Sequence, residues 1–244
     1  MPAIRDDAVV LGRLDYSETS QILVLFTRAH GKVRAIAKGI KRGTKTRFAS
    51  GVDMLDVGHA VLSSRRERSE ALAILTEWKQ SRSFSGLREK LFRIRGAQYV
   101  GEITSGLTEE WDPHEQLYDA LVDALGHLSE ASSAVASVVS YQMALLKAIG
   151  ALPRFDACVL CGGTDALTYF SSFEGGLICR NCESGQVEKR EVGPMTLAAL
   201  RGSPVAGSPS GAFSALNYHL AHLMGREPKL ADEVVARVAQ RRIE

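Results

Sequence analysis

The stretch Lys32-Val33-Arg34-Ala35-Ile36-Ala37-Lys38 alternates between basic and small apolar residues along almost its whole length. Because side chains of a β-strand point to opposite faces at every second residue, this alternation predicts a strand with one buried and one exposed face. The predicted core face consists of Val33, Ala35 and Ala37. The opposite face consists of Lys32, Arg34, Ile36 and Lys38. A single strand therefore contributes both to a hydrophobic core and to a basic surface.

Positive charge is concentrated around this strand. Residues 28–47, here called the basic segment, contain eight Lys or Arg and no Asp or Glu, whereas the whole 244-residue chain has a net charge of only +2. Several cations along one track suit the phosphate backbone of a nucleic acid, since neutralising phosphates releases counterions. The alternative is a solvated, charged edge that keeps a barrel soluble. The predicted DNA-binding residues are Arg28, Lys32, Arg34, Lys38, Lys41, Arg42, Lys45 and Arg47.

Aromatic residues close to the basic segment offer platforms on which nucleobases can stack. Phe26 alternates with Val24 and Ile22, which places it in the core. Phe48 follows the basic segment directly and is the favoured stacking candidate. Tyr16 is a further candidate in an earlier turn.

The surrounding sequence predicts a five-stranded barrel. Short runs rich in Val, Ile, Leu and Phe alternate with turn-prone segments, and no gap between them is long enough for a helix. A barrel of five strands that binds nucleic acid is most commonly of the oligonucleotide-binding (OB) type. The predicted strands are Val9–Leu14, Thr19–Thr27, Lys32–Lys38, Val52–Leu62 and Ala71–Thr76.

After Trp78 the apolar residues recur at helical spacing, which predicts a helical bundle. Asp112-Pro113-His114-Glu115 has the features of a helix start, with an acid as the N-cap and proline in the first turn. Gly150 and Pro153 follow a further helical run and predict its end. Short helices are predicted after Pro194, around Phe213 to Met224, and from Ala231 to Arg241.

Four cysteines occur in two close pairs, Cys158-x2-Cys161 and Cys179-x2-Cys182, with seventeen residues between the pairs. Two intervening residues allow each pair to turn as a knuckle, so that all four thiolates reach one zinc ion. Four cysteine ligands leave no open coordination position, and the predicted Zn²⁺ is therefore structural. The alternatives are free thiols or a redox-active pair. Residues 167–170 and 176–178 are predicted to form the two strands of a zinc ribbon.

Composition limits the remaining possibilities. No segment approaches the ~20 apolar residues of a membrane helix, and the first residues lack the apolar core of a signal peptide. A cytoplasmic protein is therefore expected, and DNA binding through the basic segment would associate it with the nucleoid. The sequence has no phosphate-binding Gly-x4-Gly-Lys-Ser/Thr loop, no Gly-x-Ser-x-Gly elbow and no His-Glu-x-x-His motif. His219 and His222 lie at a spacing that allows a shared metal, but no third ligand accompanies them. We therefore expect no enzymatic activity.

The chain resembles the RecO family of bacterial recombination mediators along its whole length. The similarity is carried by Val9 to Glu18, by Ile22 to Thr27 and by Ala37-Lys38-Gly39 with Lys45 to Phe48. It continues through Leu145 to Gly150 ahead of the cysteines and through Asn217 to Leu220 near the end. The resemblance implies binding of single- and double-stranded DNA, strand annealing, and help in loading recombinase onto strands coated by single-strand-binding protein. It also implies two protein partners, a RecR-type protein and the acidic C-terminal tail of single-strand-binding protein.

The expected architecture is an α+β fold with an N-terminal five-stranded OB-type β-barrel, a helical bundle domain and an inserted four-cysteine zinc ribbon. The predicted segments are an OB domain over 1–80, a first helical part over 81–154, the zinc ribbon over 155–190 and a C-terminal helical part over 191–244. Two other functions stay open: a protein-interaction module with a zinc ribbon, and a nucleic-acid enzyme with an unrecognised site.

Overall fold

The computed structural model describes residues 3–42, 48, 52–63, 72–202 and 209–235. The strands are β1 (Ala3–Asp15), β2 (Gln21–Thr27), β3 (Gly31–Ala37), β4 (Val57–Ser63), β5 (Ala73–Arg82), β6 (Leu167–Ser171), β7 (Gly176–Cys179) and β8 (Arg190–Glu191). The helices are α1 (Leu91–Leu107), α2 (Glu115–Glu130), α3 (Ala134–Ala148), α4 (Pro194–Leu200), α5 (Pro209–Met224) and α6 (Ala231–Val235). The described residues thus form the mixed α+β fold expected from the sequence.

The first five strands form a closed barrel in the order β1-β2-β3-β5-β4, and β4 pairs with β1 to close it. All neighbours are antiparallel except β3 and β5. The long β1 pairs with two neighbours. Its residues Ala3 to Val9 pair with β4, and its residues from Ala8 to Asp15 pair with β2, with a register shift between Val10 and Gly12. This arrangement confirms the predicted five-stranded OB-type barrel.

The barrel core contains the apolar face of β3, as the alternation predicted. Val33, Ala35 and Ala37 are fully buried together with Leu23 and Leu25 of β2. The same core contains larger side chains, among them Leu62, Leu75 and Trp78. Burying each large aliphatic side chain contributes about 1.5–3 kcal/mol.

Three predicted element boundaries in this region are wrong. β1 begins at Ala3, six residues before its predicted start, because its polar N-terminal half pairs with β4. Residues 52–56 precede β4 as an irregular segment in which Leu55 has a φ of 69°, a left-handed conformation that no strand accommodates. β5 continues to Arg82, since Lys79 and Gln80 still pair with β4.

Two compact units divide the described chain between Ser132 and Ser133. The first contains the barrel with α1 and α2. The second contains α3 to α6 and the three-stranded sheet β7-β6-β8. The four segments proposed from the sequence stay a prediction. Among the residues described, no helix combines the length and the apolar character that crossing a bilayer requires.

Several helix ends follow the sequence signals. α3 ends at Ala148, and Gly150 has a φ of 72°, as expected for a glycine that terminates a helix. α4 starts at Pro194, and proline stands in its first turn. The predicted start of α2 is wrong by two residues, since His114 and not Asp112 is its N-cap. The predicted continuation of the last helix to Arg241 lies outside the described residues.

Candidate nucleic-acid interface and metal centre

The basic segment follows the barrel from the β2–β3 turn to a 3-10 turn at Ile40–Arg42. Arg28, Lys32, Arg34, Lys38 and Lys41 are described with their side chains. The Arg42 side chain, and Lys45 and Arg47 altogether, lie outside the described residues.

The first half of the basic segment contacts the helical part of the same unit. Lys32 is partly buried, and its Nζ donates a 2.7 Å hydrogen bond to the backbone oxygen of Ser105 in α1. Burial lowers the pKa of Lys32, while nearby Glu110 and Glu109 oppose that shift. Arg34 forms an ion pair with Glu110. Lys32 is therefore occupied in holding the α1–α2 connection against β3.

Arg28 makes a similar contact further along the helical part. Its guanidinium lies 2.9 Å from the carboxylate of Asp119 in α2, and both side chains stay about half exposed. Arg34 is also about half exposed in its ion pair. Exposed ion pairs are weak and exchange partners readily, so Arg28 and Arg34 keep the ability to attract phosphate.

Lys38 and Lys41, the described cations in the second half of the basic segment, face solvent. Lys38 is exposed, and the described part of the chain offers its amino group no ion-pair partner. Lys41 lies in the 3-10 turn and forms a 2.8 Å ion pair with Asp15 at the end of β1. Its amino group holds the pKa of Asp15 below the usual range. Lys38 and Lys41 thus stand at the end of the barrel where β1 passes into β2.

The stacking candidates are placed differently from the prediction. Phe48 is only 4% exposed and belongs to the barrel core, so the preference for Phe48 was wrong. Phe26 is fully buried, as predicted. Tyr16 is 63% exposed in the β1–β2 turn. The signal that favours Tyr16 is its place in the turn Asp15-Tyr16-Ser17, outside any alternating run that would bury it.

The four cysteines form a single cluster, as predicted. One Sγ atom from each residue lies within 4.8 Å of the other three, and Cys161 Sγ is 3.7 Å from Cys179 Sγ. Ligands about 2.3 Å from a tetrahedral zinc ion are separated by about 3.8 Å, so this spacing fits a bound metal. A disulfide is far shorter, at about 2.05 Å, and all four thiols are free. The cluster can therefore hold one metal ion.

Backbone turns position the sulfur atoms. Gly162 N donates to Cys158 O at 2.9 Å, and Gly162 has a φ of 76° that lets the chain reverse directly after the first pair. Cys182 N donates to Cys179 O at 3.0 Å and closes the second pair in the same way. Cys179 lies in β7, and its amide donates to Cys158 Sγ at 3.4 Å. The hairpin β6–β7 thus joins the two pairs into one ribbon.

The thiols of the cluster ionise unequally. Burial opposes ionisation of Cys158, but hydrogen bonds from the amides of Cys179 and Cys161 outweigh it and lower the pKa of Cys158 to about 6. Hydrogen bonds to Cys179 and Cys161 raise the pKa of Cys182 to about 12. A bound divalent cation deprotonates the thiols that coordinate it and offsets the repulsion between the resulting thiolates. The donor set therefore fits a dication such as zinc.

A network around Glu188 connects the ribbon to α5. The carboxylate of Glu188 accepts hydrogen bonds from Ser171 Oγ at 2.6 Å and from the amide of Phe173 at 3.0 Å. Tyr218 of α5 donates its hydroxyl to the same carboxylate. The guanidinium of Arg190 lies 3.7 Å from the centre of the Tyr218 ring. The ribbon is held against α5 by these contacts as well as by its own hairpin.

His219 has a structural position. Its Nδ1 lies 2.7 Å from Ser172 Oγ, and its Nε2 lies 3.0 Å from Ala151 O. A carbonyl oxygen only accepts, so Nε2 carries the proton and Nδ1 accepts from the serine. Burial lowers the pKa of His219, and both ring nitrogens are engaged. Within the described ranges the four cysteines are the one group suited to a metal ion, and His219 with His222 is not.

Comparison with known proteins agrees with this architecture. The family model of the recombination protein O N terminal matches residues 1–84, and that of the recombination protein O C terminal matches residues 88–202. The chain is 33% identical to a DNA repair protein RecO of Anaeromyxobacter dehalogenans over 241 residues, which covers 93% of each chain. It is 32% identical to the Bacillus pumilus protein, covering 81% of this chain and 75% of that one. It is 30% identical to the Bacillus subtilis protein, covering 80% and 74%. The chain therefore belongs to the RecO family of DNA repair proteins.

Proposed function

We propose that this protein binds single- and double-stranded DNA through the basic segment and anneals complementary strands during recombinational repair. The observation that carries the proposal is the solvent-facing pair Lys38 and Lys41 at one end of an OB-type barrel, where Arg42, Lys45 and Arg47 follow in sequence. Five cations within ten residues, without an acid among them, supply the track that a phosphate backbone requires.

Annealing by this route requires no bond-making chemistry. A cationic surface that holds two strands screens their repulsion and raises the local concentration of one strand beside the other. We therefore propose a non-enzymatic mediator that acts without nucleotide hydrolysis. Arg28 and Arg34 add charge to the surface, whereas Lys32 serves mainly to fix the helical part to the barrel.

The family membership supports a place in recombinase loading. We propose that the protein helps recombinase onto strands coated by single-strand-binding protein, with a RecR-type protein and the acidic tail of single-strand-binding protein as partners. For the four cysteines we propose a resident Zn²⁺, held by Cys158, Cys161, Cys179 and Cys182. When bound, zinc would supply folding energy to the ribbon, since four thiolates leave no position for a substrate.

The function is tested by annealing of two complementary fluorescent oligonucleotides. The triple variant Lys38→Ala, Arg42→Ala, Lys45→Ala should anneal more slowly, because three phosphate contacts are lost. A matched control, Lys79→Ala, Lys90→Ala, Lys147→Ala, removes the same charge from exposed positions elsewhere and should anneal normally. Equal loss in both variants would mean that total charge matters and the basic segment does not. Annealing by the wild type without ATP, with strands of unchanged length, is expected of a non-enzymatic protein.

A further inference from the structure

The β1–β2 turn exposes two large side chains at the end of the barrel. Tyr16 is 63% exposed and Leu14 is 65% exposed, the latter on the last residues of β1. Their neighbours in the turn are polar residues, which are the usual residues of a solvent-exposed turn. Exposed apolar side chains that lie close together often mark a binding site. The residues around the turn indicate which kind of ligand would contact these two side chains.

Hydrogen bonds hold the turn in one shape. The amides of Tyr16 and Ser17 donate to Ser20 O at 3.1 and 3.2 Å. Ser17 Oγ accepts from the amide of Ser20 at 3.2 Å. Gln21 Nε2 donates to Asp15 Oδ1 at 2.9 Å across the base of the turn. The backbone that carries Tyr16 is thus ordered in advance, so that less conformational entropy is lost when its ring is covered.

The turn is also attached to the basic segment. The amide of Lys41 donates to Thr19 O at 3.3 Å, and Lys41 Nζ lies 2.8 Å from Asp15 and 3.5 Å from Ser17 O. The ion pair with Lys41 neutralises Asp15. Glu18 is then the one acid of the turn without a described partner, and Lys41 brings a cation into contact with the turn. A ligand for this end of the barrel therefore combines negative charge with flat apolar faces.

We propose that Tyr16 is a stacking platform for the unpaired bases of single-stranded DNA, flanked by Leu14, while Lys38 and Lys41 contact the phosphates of the same strand. This inference rests on the proposed DNA binding and adds the strand preference of the site. Bases of a single strand have free faces that can stack on an aromatic ring. Bases of a duplex are already stacked on each other and offer none.

The test compares Tyr16→Ala with the wild type in binding to a thymidine oligonucleotide of about 16 nucleotides, within the footprint of such a barrel. The variant should lose about fivefold or more in affinity, the usual effect of removing one base–aromatic stack. The salt dependence should not change, since Tyr16 releases no counterions. Tyr16→Phe should bind like the wild type. Phe173→Ala, which removes another exposed aromatic side chain from the second unit, is the matched control and should have no effect.

An oligonucleotide of the same length with abasic sites isolates the stacking. It keeps every phosphate and lacks the bases, so the wild type should bind it more weakly than the thymidine strand, and Tyr16→Ala should bind both equally. Equal affinities of Tyr16→Ala and wild type for the thymidine strand would overturn the stacking and leave the basic segment as the DNA site. The stacking would also be overturned if Tyr16→Ala lost as much affinity for abasic or duplex DNA as for the thymidine strand. A wild-type protein that binds no oligonucleotide at low salt would overturn the proposed function itself.

Discussion

Replacing Lys32 by Ala should destabilise the first unit and leave DNA binding unchanged, whereas replacing Lys38 by Ala should do the reverse. Both residues are lysines, six positions apart. Lys32 lies in β3, and Lys38 directly follows the end of that strand. Their surroundings differ: Lys32 donates to Ser105 O and lies near Glu110, and Lys38 is exposed. The pair therefore separates a stabilising role from a DNA-contacting role.

The magnitude follows from these contacts. A hydrogen bond from a charged donor contributes about 1.5–3 kcal/mol, and the Lys32 bond at 2.7 Å is short and partly buried. We expect a loss of about 2 kcal/mol in the free energy of unfolding, which corresponds to a decrease of about 4–8 °C in Tm for a protein of this size. An exposed residue such as Lys38 should change stability by no more than about 0.5 kcal/mol.

The assay uses the two tryptophans. Trp78 and Trp111 both lie in the first unit, so tryptophan fluorescence during thermal unfolding reports on that unit alone. DNA binding is measured as the dependence of log Kd on log salt concentration for a single-stranded oligonucleotide. Loss of one phosphate contact lowers this slope by about 0.7. We expect that decrease for Lys38→Ala and the wild-type slope for Lys32→Ala.

A Lys32→Ala protein with unchanged Tm and a reduced salt slope would refute this reasoning. That result would mean that Lys32 leaves its contact with Ser105 to bind phosphate. A loss of slope in both variants, together with a loss of stability in Lys32→Ala alone, would give Lys32 both roles.

Three further predictions concern other parts of the molecule. Gly31→Ala should strongly lower the Tm reported by tryptophan fluorescence, because Gly31 has a φ of 69° and an added Cβ would lie 1.8 Å from Asp112 O; an unchanged Tm would contradict this packing. Removal of zinc by a chelator, or Cys158→Ser, should reduce far-UV circular dichroism and Tm of the second unit, with little change in oligonucleotide affinity; loss of affinity with an intact fold would contradict a purely structural metal. Because burial lowers the pKa of His219, the unfolded chain takes up a proton near pH 6.5 before the folded chain does, so the free energy of unfolding should decrease as the pH falls below about 6.5. His219→Gln should flatten that part of the stability profile, measured by denaturant titration.

Patterns local in the sequence predicted much of the fold. The alternation in β3 identified its buried face, and the cysteine spacing identified all four members of the cluster. Both signals depend on residues that are neighbours along the chain, where the geometry of a strand or a knuckle is already fixed. The end of α3 at Gly150 is a signal of the same kind.

Features that depend on distant residues could not be predicted in this way. The contact of Lys32 with Ser105 spans 73 positions, and nothing near Lys32 indicates that its amino group has a backbone partner. Phe48 directly follows a basic stretch of sequence, which favoured an exposed position, yet tertiary packing places it in the barrel core. The polar first half of β1 forms a strand because β4 provides its hydrogen-bond partners.

Arg34 has an ion-pair partner and Lys38 has none among the described residues, and this difference affects which substitutions related proteins can accept at the two positions. Arg34 and Glu110 form one ion pair, so an acid at the first position can be compensated by a base at the second, and the two should change together. Lys38 has no such described partner to change with it, and only another cation preserves attraction to phosphate. Correlated substitution at positions 34 and 110, together with a positive charge kept at position 38, would reflect the difference between the two halves of the basic segment.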